Sequence, residues 1–257
     1  MKKNIQDFEV LENICLNEQH FVLKLLSPAD LPEILPGQFA EVLVPDSKQT
    51  FLRRPFSIHD VSRSNKTISF FIKCVGEGTS KLRTLKQGDL LNIMFPLGNS
   101  FGTDVSGRVL LVGGGCGVAP LFYLAKVLHQ NKIDIDILIG AKTSDDISYL
   151  DTLKKFGNVF TTTEDGSHGE KGFATQHSII EKLSNYTKIY CCGPEPMMKS
   201  MAAKAKQNSI ECEVSLENTM ACGIGACLCC VTETVDGNKC VCTDGPVFNI
   251  NSLKWQI

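Results

Sequence analysis

Six cysteines crowd between Cys222 and Cys242, and this tail limits what the chain can fold into more than any other feature. The stretch carries Gly223, Gly225 and Gly237 but too few apolar residues for a large core of its own, so a metal centre is the expected staple. The full chain of 257 residues holds 12 cysteines. The other six, Cys15, Cys74, Cys116, Cys191, Cys192 and Cys212, are scattered and read as small buried hydrophobes. No apolar run reaches the ~20 residues that a bilayer span needs. Acidic residues soon after Lys2 and Lys3 interrupt any signal-peptide core, so the chain reads as cytoplasmic. In a compartment that keeps thiols reduced, clustered cysteines point to metal or redox chemistry rather than disulfides. The net charge of −2 gives no electrostatic case for nucleic acid or an anionic membrane.

The spacing within the tail is specific. Cys222, Cys227 and Cys230 form C-x4-C-x2-C, the plant-type ferredoxin spacing, with a fourth cysteine later in the chain. A [2Fe–2S] cluster needs four thiolates converging on two irons. Gly223 and Gly225 let the loop fold tightly and bring backbone N–H groups toward the sulfurs. Spacing alone leaves Cys229 as an alternative to Cys230, and Cys240 as an alternative to Cys242. A structural four-cysteine zinc site is the competing reading. Zinc ribbons pair two C-x2–4-C knuckles, and Cys240-x-Cys242 makes a poor second knuckle.

Upstream, the texture changes twice. Residues 1–104 show short β-like runs at Phe21–Leu26, Gln38–Val44, Thr67–Val75 and Leu90–Phe95, separated by turn residues, which predicts a small antiparallel β-barrel. Residues 105–210 alternate strands (Val109–Val112, Ile133–Ile139, Val159–Thr163, Ile189–Cys192) with helices (Pro120–His129, Pro196–Gln207), which predicts a Rossmann-like α/β domain with a parallel sheet. Residues 211–257 form the cysteine-rich segment.

A glycine cluster separates the first strand of the second region from its helix. Gly113 ends the strand, and Gly115-x-Gly117-x-x-Pro120 occupies the position of a phosphate-binding turn. A pyrophosphate there meets small residues and the positive end of a helix. A tight turn without ligand has the same sequence, and the strand–turn–helix context favours the nucleotide. No acid follows the second strand. Glu164-Asp165 follows the third, where a carboxylate accepts from a free ribose 2′-hydroxyl and repels a 2′-phosphate, favouring NAD over NADP.

The barrel region carries Arg53-Arg54-Pro55-Phe56-Ser57 and then Phe71-Ile72-Lys73-Cys74-Val75-Gly76-Glu77-Gly78-Thr79-Ser80. With Cys192-Gly193-Pro194-Glu195-Pro196-Met197-Met198, these motifs resemble the ferredoxin reductase-like flavoproteins. Adding the tail, the order RPFS, GEGTS, GGGCGVAPL, CGPEPMM and MACGIGAC-x2-C is similar to the electron-transfer subunits of NAD-dependent, type B dihydroorotate dehydrogenases, across essentially the whole chain. The resemblance implies cluster ligands Cys222, Cys227, Cys230 and Cys242. It implies FAD contacts from Arg54, Pro55, Phe56 and Ser57, from Phe71, Ile72 and Lys73, and from Gly78 and Thr79 at its phosphates. It implies nicotinamide-nucleotide contacts from Gly113, Gly115, Gly117, Cys192 and Gly193. Phe56 stands where the wider superfamily often has Tyr, and Cys116 where an aliphatic residue is common.

The function implied is an electron relay. A cluster passes single electrons, NAD accepts a hydride, and a flavin does both. No dihydroorotate site is visible, since His20, His59, His129, His168 and His177 are isolated in sequence, and the resemblance implies that the substrate chemistry belongs to an FMN-containing catalytic partner subunit, in a heterotetramer of two of each. Met220, Val247 and Phe248 read either as a docking face for that partner or as the tail's own core. The nearest rival keeps the fold but places the chain in another NAD(P)H–ferredoxin oxidoreductase or a sulfhydrogenase-type complex. A zinc-stapled nucleotide-binding module without electron transfer is more distant.

Overall fold

The computed structural model describes residues 3–47, 49–147 and 150–257, which divide into two compact units. The first unit holds strands β1 (Asn4–Cys15), β2 (His20–Leu26), β3 (Phe39–Val42), β4 (Arg54–Ser57), β5 (Asp60–Ser62), β6 (Thr67–Lys73) and β7 (Leu90–Leu97), with helix α1 (Glu77–Arg83) between the last two. They form one sheet in the order β4-β3-β7-β1-β2-β6-β5, with every pairing antiparallel. The sheet is curled: Phe56 of edge strand β4 lies 6.2 Å from Phe70 of β6. Its core is aromatic, with Phe8, Phe21, Phe70 and Phe95 fully buried and Phe8 meeting Phe95 edge-on at 5.0 Å.

The cysteine-rich segments Asn218–Thr232 and Lys239–Pro246 fold into this same unit. The sequence offers no warning of β1, because only Phe8 and Val10 of its twelve residues are buried and its alternation is weak. Helix α1 occupies what reads as a glycine turn. The Thr79 side chain holds its start, accepting from the Val75 and Gly76 N–H groups at 2.9 and 3.2 Å and donating to the Gly76 carbonyl.

The second unit contains β8 (Arg108–Gly114), α2 (Val118–Gln130), β9 (Asp134–Ala141), α3 (Leu150–Leu153), β10 (Asn158–Thr163), β11 (Glu170–Lys171), β12 (Lys188–Cys192), α4 (Glu195–Gln207) and β13 (Glu211–Ser215). After the cysteine-rich hairpin β14 (Val231–Thr234) and β15 (Gly237–Cys240) and the short helix α5 (Val241–Asp244), strand β16 (Val247–Asn249) returns to pair with β13. The sheet order is β11-β10-β9-β8-β12-β13-β16, parallel throughout except for β16. Strand order runs one way from β8 to β10 and the other way from β12, so the crevice outside the carboxyl ends of β8 and β12 is the place where such sheets bind ligands.

The opposite, amino end of this sheet is pinned by Asp136, which is 1% exposed. It accepts from Arg108 Nη2 at 2.9 Å, from Asn158 Nδ2 at 2.9 Å and from the Tyr186 hydroxyl. Removing it leaves the buried Tyr186 hydroxyl without its acceptor, while the part-exposed Arg108 keeps Asp134 Oδ2 at 3.5 Å from its Nε. Asp136→Ala is expected to cost about 1–3 kcal/mol in urea unfolding, the range for leaving a buried hydrogen-bonding group unsatisfied.

Candidate functional site

The thiols of the tail lie close together, with Cys240 also within reach of Cys230. Cys222 and Cys227 lie within hydrogen-bonding reach of each other, and so do Cys230 and Cys242. The loop aims backbone N–H groups at three of these sulfurs. Ile224 and Cys227 donate to Cys222 Sγ at 3.5 and 3.4 Å, Gly225 to Cys242 Sγ at 3.2 Å, and Cys242 to Cys230 Sγ at 3.4 Å. Burial works to raise the Cys222 thiol, but the N–H donors and Cys227 overcome it and bring Cys222 down to about 6. For Cys242, burial is the largest effect and pushes it up to about 12, as expected of an interior thiol that ionises only when bound to a metal. Among the described residues, no three His, Cys, Asp or Glu side chains converge closely enough for one metal ion.

The loop can curl this tightly because Gly223 lies flat against the barrel wall. Its φ is +65°, and a Cβ there would come within 2.8 Å of Glu41 Cγ, 2.9 Å of Met94 Cε and 3.1 Å of Leu97 Cδ1. Cys229 and Cys240 lie outside the N–H network: Cys229 is exposed, and the Cys240 thiol is raised, chiefly by desolvation and then by Cys230. Met220, Val247 and Phe248 are buried at 8%, 5% and 8% exposure, so they are core rather than a docking face. The apolar side chains that the loop does present are Ile224 and Leu228.

In β4, the four residues Arg54, Pro55, Phe56 and Ser57 are all half-buried, so this edge strand keeps surface available for a ligand. The two arginines differ. Arg53 donates to the carbonyls of Glu41 and Asn92, each at 3.2 Å, and to Asn92 Oδ1. Among the described residues, the Arg54 guanidinium makes long contacts, at 3.5 and 3.4 Å, to the Leu52 and Arg53 carbonyls, a weak hold that suits a phosphate-binding role. Phe71 and Ile72 are buried, with Phe71 packed between His20 and His59 at 5.4 and 5.8 Å, so of that trio only Lys73 is part-exposed. Gly78 is packed against Thr50 and Val44.

In the second unit, two glycine turns meet at the carboxyl ends of β8 and β12. A Cβ on Gly117 would lie 2.1 Å from the Cys192 carbonyl oxygen, and one on Gly193 would lie 3.0 Å from Gly114 Cα. Gly115, by contrast, has nothing within 4 Å of its Cβ position, an open cradle ahead of the 13-residue helix α2. Cys192 is fully buried and hydrogen-bonded to Ser215; its thiol is raised well above the usual range by burial and then by Glu217. Protein atoms around the Glu217 carboxyl raise it too, although much of the residue surface stays exposed. Sequence reading missed Ser215 and Glu217, whose only signal is their place just after a strand that ends beside Cys192.

The third strand's acids divide their tasks. Asp165 Oδ1 accepts from Ser167 Oγ at 2.6 Å and Ser167 N at 3.0 Å, which holds Asp165 below the usual carboxylate range and ties it into the turn. Glu164 has no such role among the described hydrogen bonds and is exposed.

Comparison with known proteins agrees with each part. Residues 7–101 match an oxidoreductase FAD-binding domain, residues 111–203 an oxidoreductase NAD-binding domain, and residues 217–254 the iron–sulfur cluster binding domain of dihydroorotate dehydrogenase B. The dihydroorotate dehydrogenase B (NAD(+)) electron transfer subunit of Fusobacterium nucleatum subsp. nucleatum is 38% identical, covering 98% of this chain and 99% of its own. That of Clostridium perfringens is 40% identical over 94% of each. Among solved structures, a chain of the NADH-dependent reduced ferredoxin-NADP oxidoreductase superposes with a TM-score of 0.86 at 30% identity, over 96% of this chain and 90% of that one. The ferredoxin reductase of carbazole 1,9a-dioxygenase, at 21% identity and a TM-score of 0.70, shares the fold.

The loop geometry makes a direct prediction. Gly223→Ala places a methyl group against the barrel wall in a left-handed backbone. The purified variant is expected to lose most of its cluster absorbance and iron while keeping its flavin bands, as read by visible spectroscopy and iron analysis.

Proposed function

Because the chain belongs to the family of dihydroorotate dehydrogenase B (NAD(+)) electron transfer subunits, we propose that Cys222, Cys227, Cys230 and Cys242 hold its cluster and that electrons pass from there through FAD to NAD+. The protein is an oxidoreductase subunit that combines FAD, NAD and [2Fe–2S] domains and serves electron transfer in pyrimidine biosynthesis. The observation that carries the ligand assignment is the set of backbone N–H groups aimed at Cys222, Cys230 and Cys242, within the compact unit that also contains β4.

When bound, the flavin supplies the exchange between one-electron and hydride chemistry. The chain's own residues position and tune. Arg54 would neutralise a flavin phosphate, Pro55 and Phe56 would pack beside the ring system, and the Ser57 hydroxyl would donate to it. Strand β6 offers Phe71, Ile72 and Lys73 through its backbone and the Lys73 side chain, since two of the three side chains are core. Thr79 acts with Gly78 by fixing the turn, because its hydroxyl already bonds three backbone groups. Gly115 leaves the open space for the NAD pyrophosphate, Gly113 and Gly117 allow the close packing against Leu121, Val118 and the Cys192 carbonyl that shapes the turn, and Cys192 and Gly193 shape the nicotinamide pocket. None of these is an acid or base acting on an organic substrate.

The family name implies a catalytic partner subunit. We assign that partner FMN and the dihydroorotate chemistry, in a cytoplasmic heterotetramer of two of each. Ile224 and Leu228, exposed at 49% and 64% on the cluster loop, are the apolar contacts offered to it. Similarity to the NADH-dependent reduced ferredoxin-NADP oxidoreductase favours a second circuit on the same fold, with ferredoxin-linked chemistry in place of dihydroorotate.

Anaerobically purified protein is expected to show flavin bands together with cluster absorbance, and to form orotate from dihydroorotate only when the partner subunit is added. Orotate formation by this chain alone would overturn the subunit assignment. At the adenosine end, Glu164→Arg is expected to shift the NADP+/NAD+ ratio of kcat/KM by about tenfold toward NADP+, since it replaces a repelling charge with an attracting one. Asp165→Ala should instead lower both activities alike by loosening the turn.

A further inference from the structure

Glu41 is a buried charge that the electron path above does not use. It lies in β3, opposite Pro55 of β4 and Met94 of β7, and is 0% exposed. The register with β7 slips between Phe39 and Glu41, and such a bulge re-aims side chains. All four residues of β3 are accordingly buried, the acid among them. Neither Glu41 carboxyl oxygen has a hydrogen-bond partner. An unpartnered buried carboxyl is costly.

Its surroundings point toward the redox centres. Glu41 Cγ forms part of the wall on which Gly223 rests, next to Cys222. The charged groups acting on it are Arg53 and Arg54, on the β4 side, and Cys222 from the cluster loop. Strand β7 contributes the apolar Met94 and, near Arg53, the neutral Asn92. Arg53 directs its guanidinium to the carbonyls of Glu41 and Asn92 and to the Asn92 side chain, so it does not pair with the carboxylate. Burial dominates and raises the acid to about 7.

We propose that Glu41 is a positioning charge for the electron path, whose carboxylate beside the Cys222 loop lowers the reduction potential of the cluster. The inference rests on the cluster and flavin assignment above. An electron arriving near an existing negative charge in low-dielectric surroundings is disfavoured, so the reduced cluster becomes a stronger donor. One electron leaves the cluster and one enters FAD. No bond forms or breaks at Glu41, and the electrons come from the partner subunit's substrate oxidation. A path that ends in hydride transfer to NAD+ needs such a strong donor at its entry.

The test is an EPR-monitored redox titration of the cluster-loaded, FAD-loaded protein, repeated from pH 6 to pH 10 so that the carboxyl's own ionisation is read from the wild-type potential. Glu41→Gln removes the charge at nearly constant volume. Its cluster midpoint potential is expected to rise by about 59 mV, a tenfold change in the one-electron equilibrium, with the EPR line shape and iron content unchanged. If E41Q fails to retain the cluster, Glu41→Met, similar in length and apolar, carries the same expected rise. An unchanged potential in a variant with an intact EPR signal overturns the proposal. Absence of any cluster signal in the wild-type protein would instead overturn the cluster assignment on which it rests.

Discussion

The close approach of Gly223 to the barrel wall is the contact on which the candidate redox site depends. Only a residue without a side chain can lie against Glu41, Met94 and Leu97 at that distance, and its left-handed backbone turns the following N–H groups inward. Ile224 N and Cys227 N then reach Cys222 Sγ, and Gly225 N reaches Cys242 Sγ. The sulfurs are thus held by the backbone geometry of the loop as well as by cysteine spacing. The barrel supplies the flat surface, which makes the flavin unit and the cluster loop parts of one packing problem.

A similar principle governs the nucleotide end. Gly117 and Gly193 bring two turns from different strands into backbone contact, while Gly115 leaves open space beside them. Together they mark the point where strand order reverses between β8 and β12. Buried Cys192 and Ser215 line the neighbouring strand ends, and Glu217 stands just beyond. Electrostatics here is local: Asp165 is committed to Ser167, and the adjacent Glu164 faces solvent.

How much of this was legible in the sequence depended on range. The Cys222-x4-Cys227-x2-Cys230 spacing and the Gly113–Gly117 turn are local chemistry that points to the cluster and the nucleotide, whereas FAD entered only through the family resemblance of the barrel motifs. Strand β1 was not legible because its neighbours β2 and β7 bury so little of it. Helix α1 was hidden in a glycine-rich string that Thr79 organises through its side chain. Glu41 gave only a faint signal, one acid inside the apolar run Phe39–Val44; its inward turn comes from a register slip that no single strand encodes. Phe71 and Ile72 show the converse error of range, since a motif names positions and cannot say whether backbone or side chain does the binding.

Strand β16 has a further consequence. After Glu217 the chain enters the first unit, visits the second at Glu233–Asn238, returns at Lys239–Pro246, and finishes as an antiparallel strand on β13. The cysteine-rich tail is therefore woven into both units by topology, although it looks like an appended module when read as a string. Cutting the chain before it would strip β16 from one sheet and the packed loop from the other. Such a segment is poorly suited to gain or loss as a cassette, so a reductase of this kind would have to acquire or discard its cluster by rebuilding two cores together.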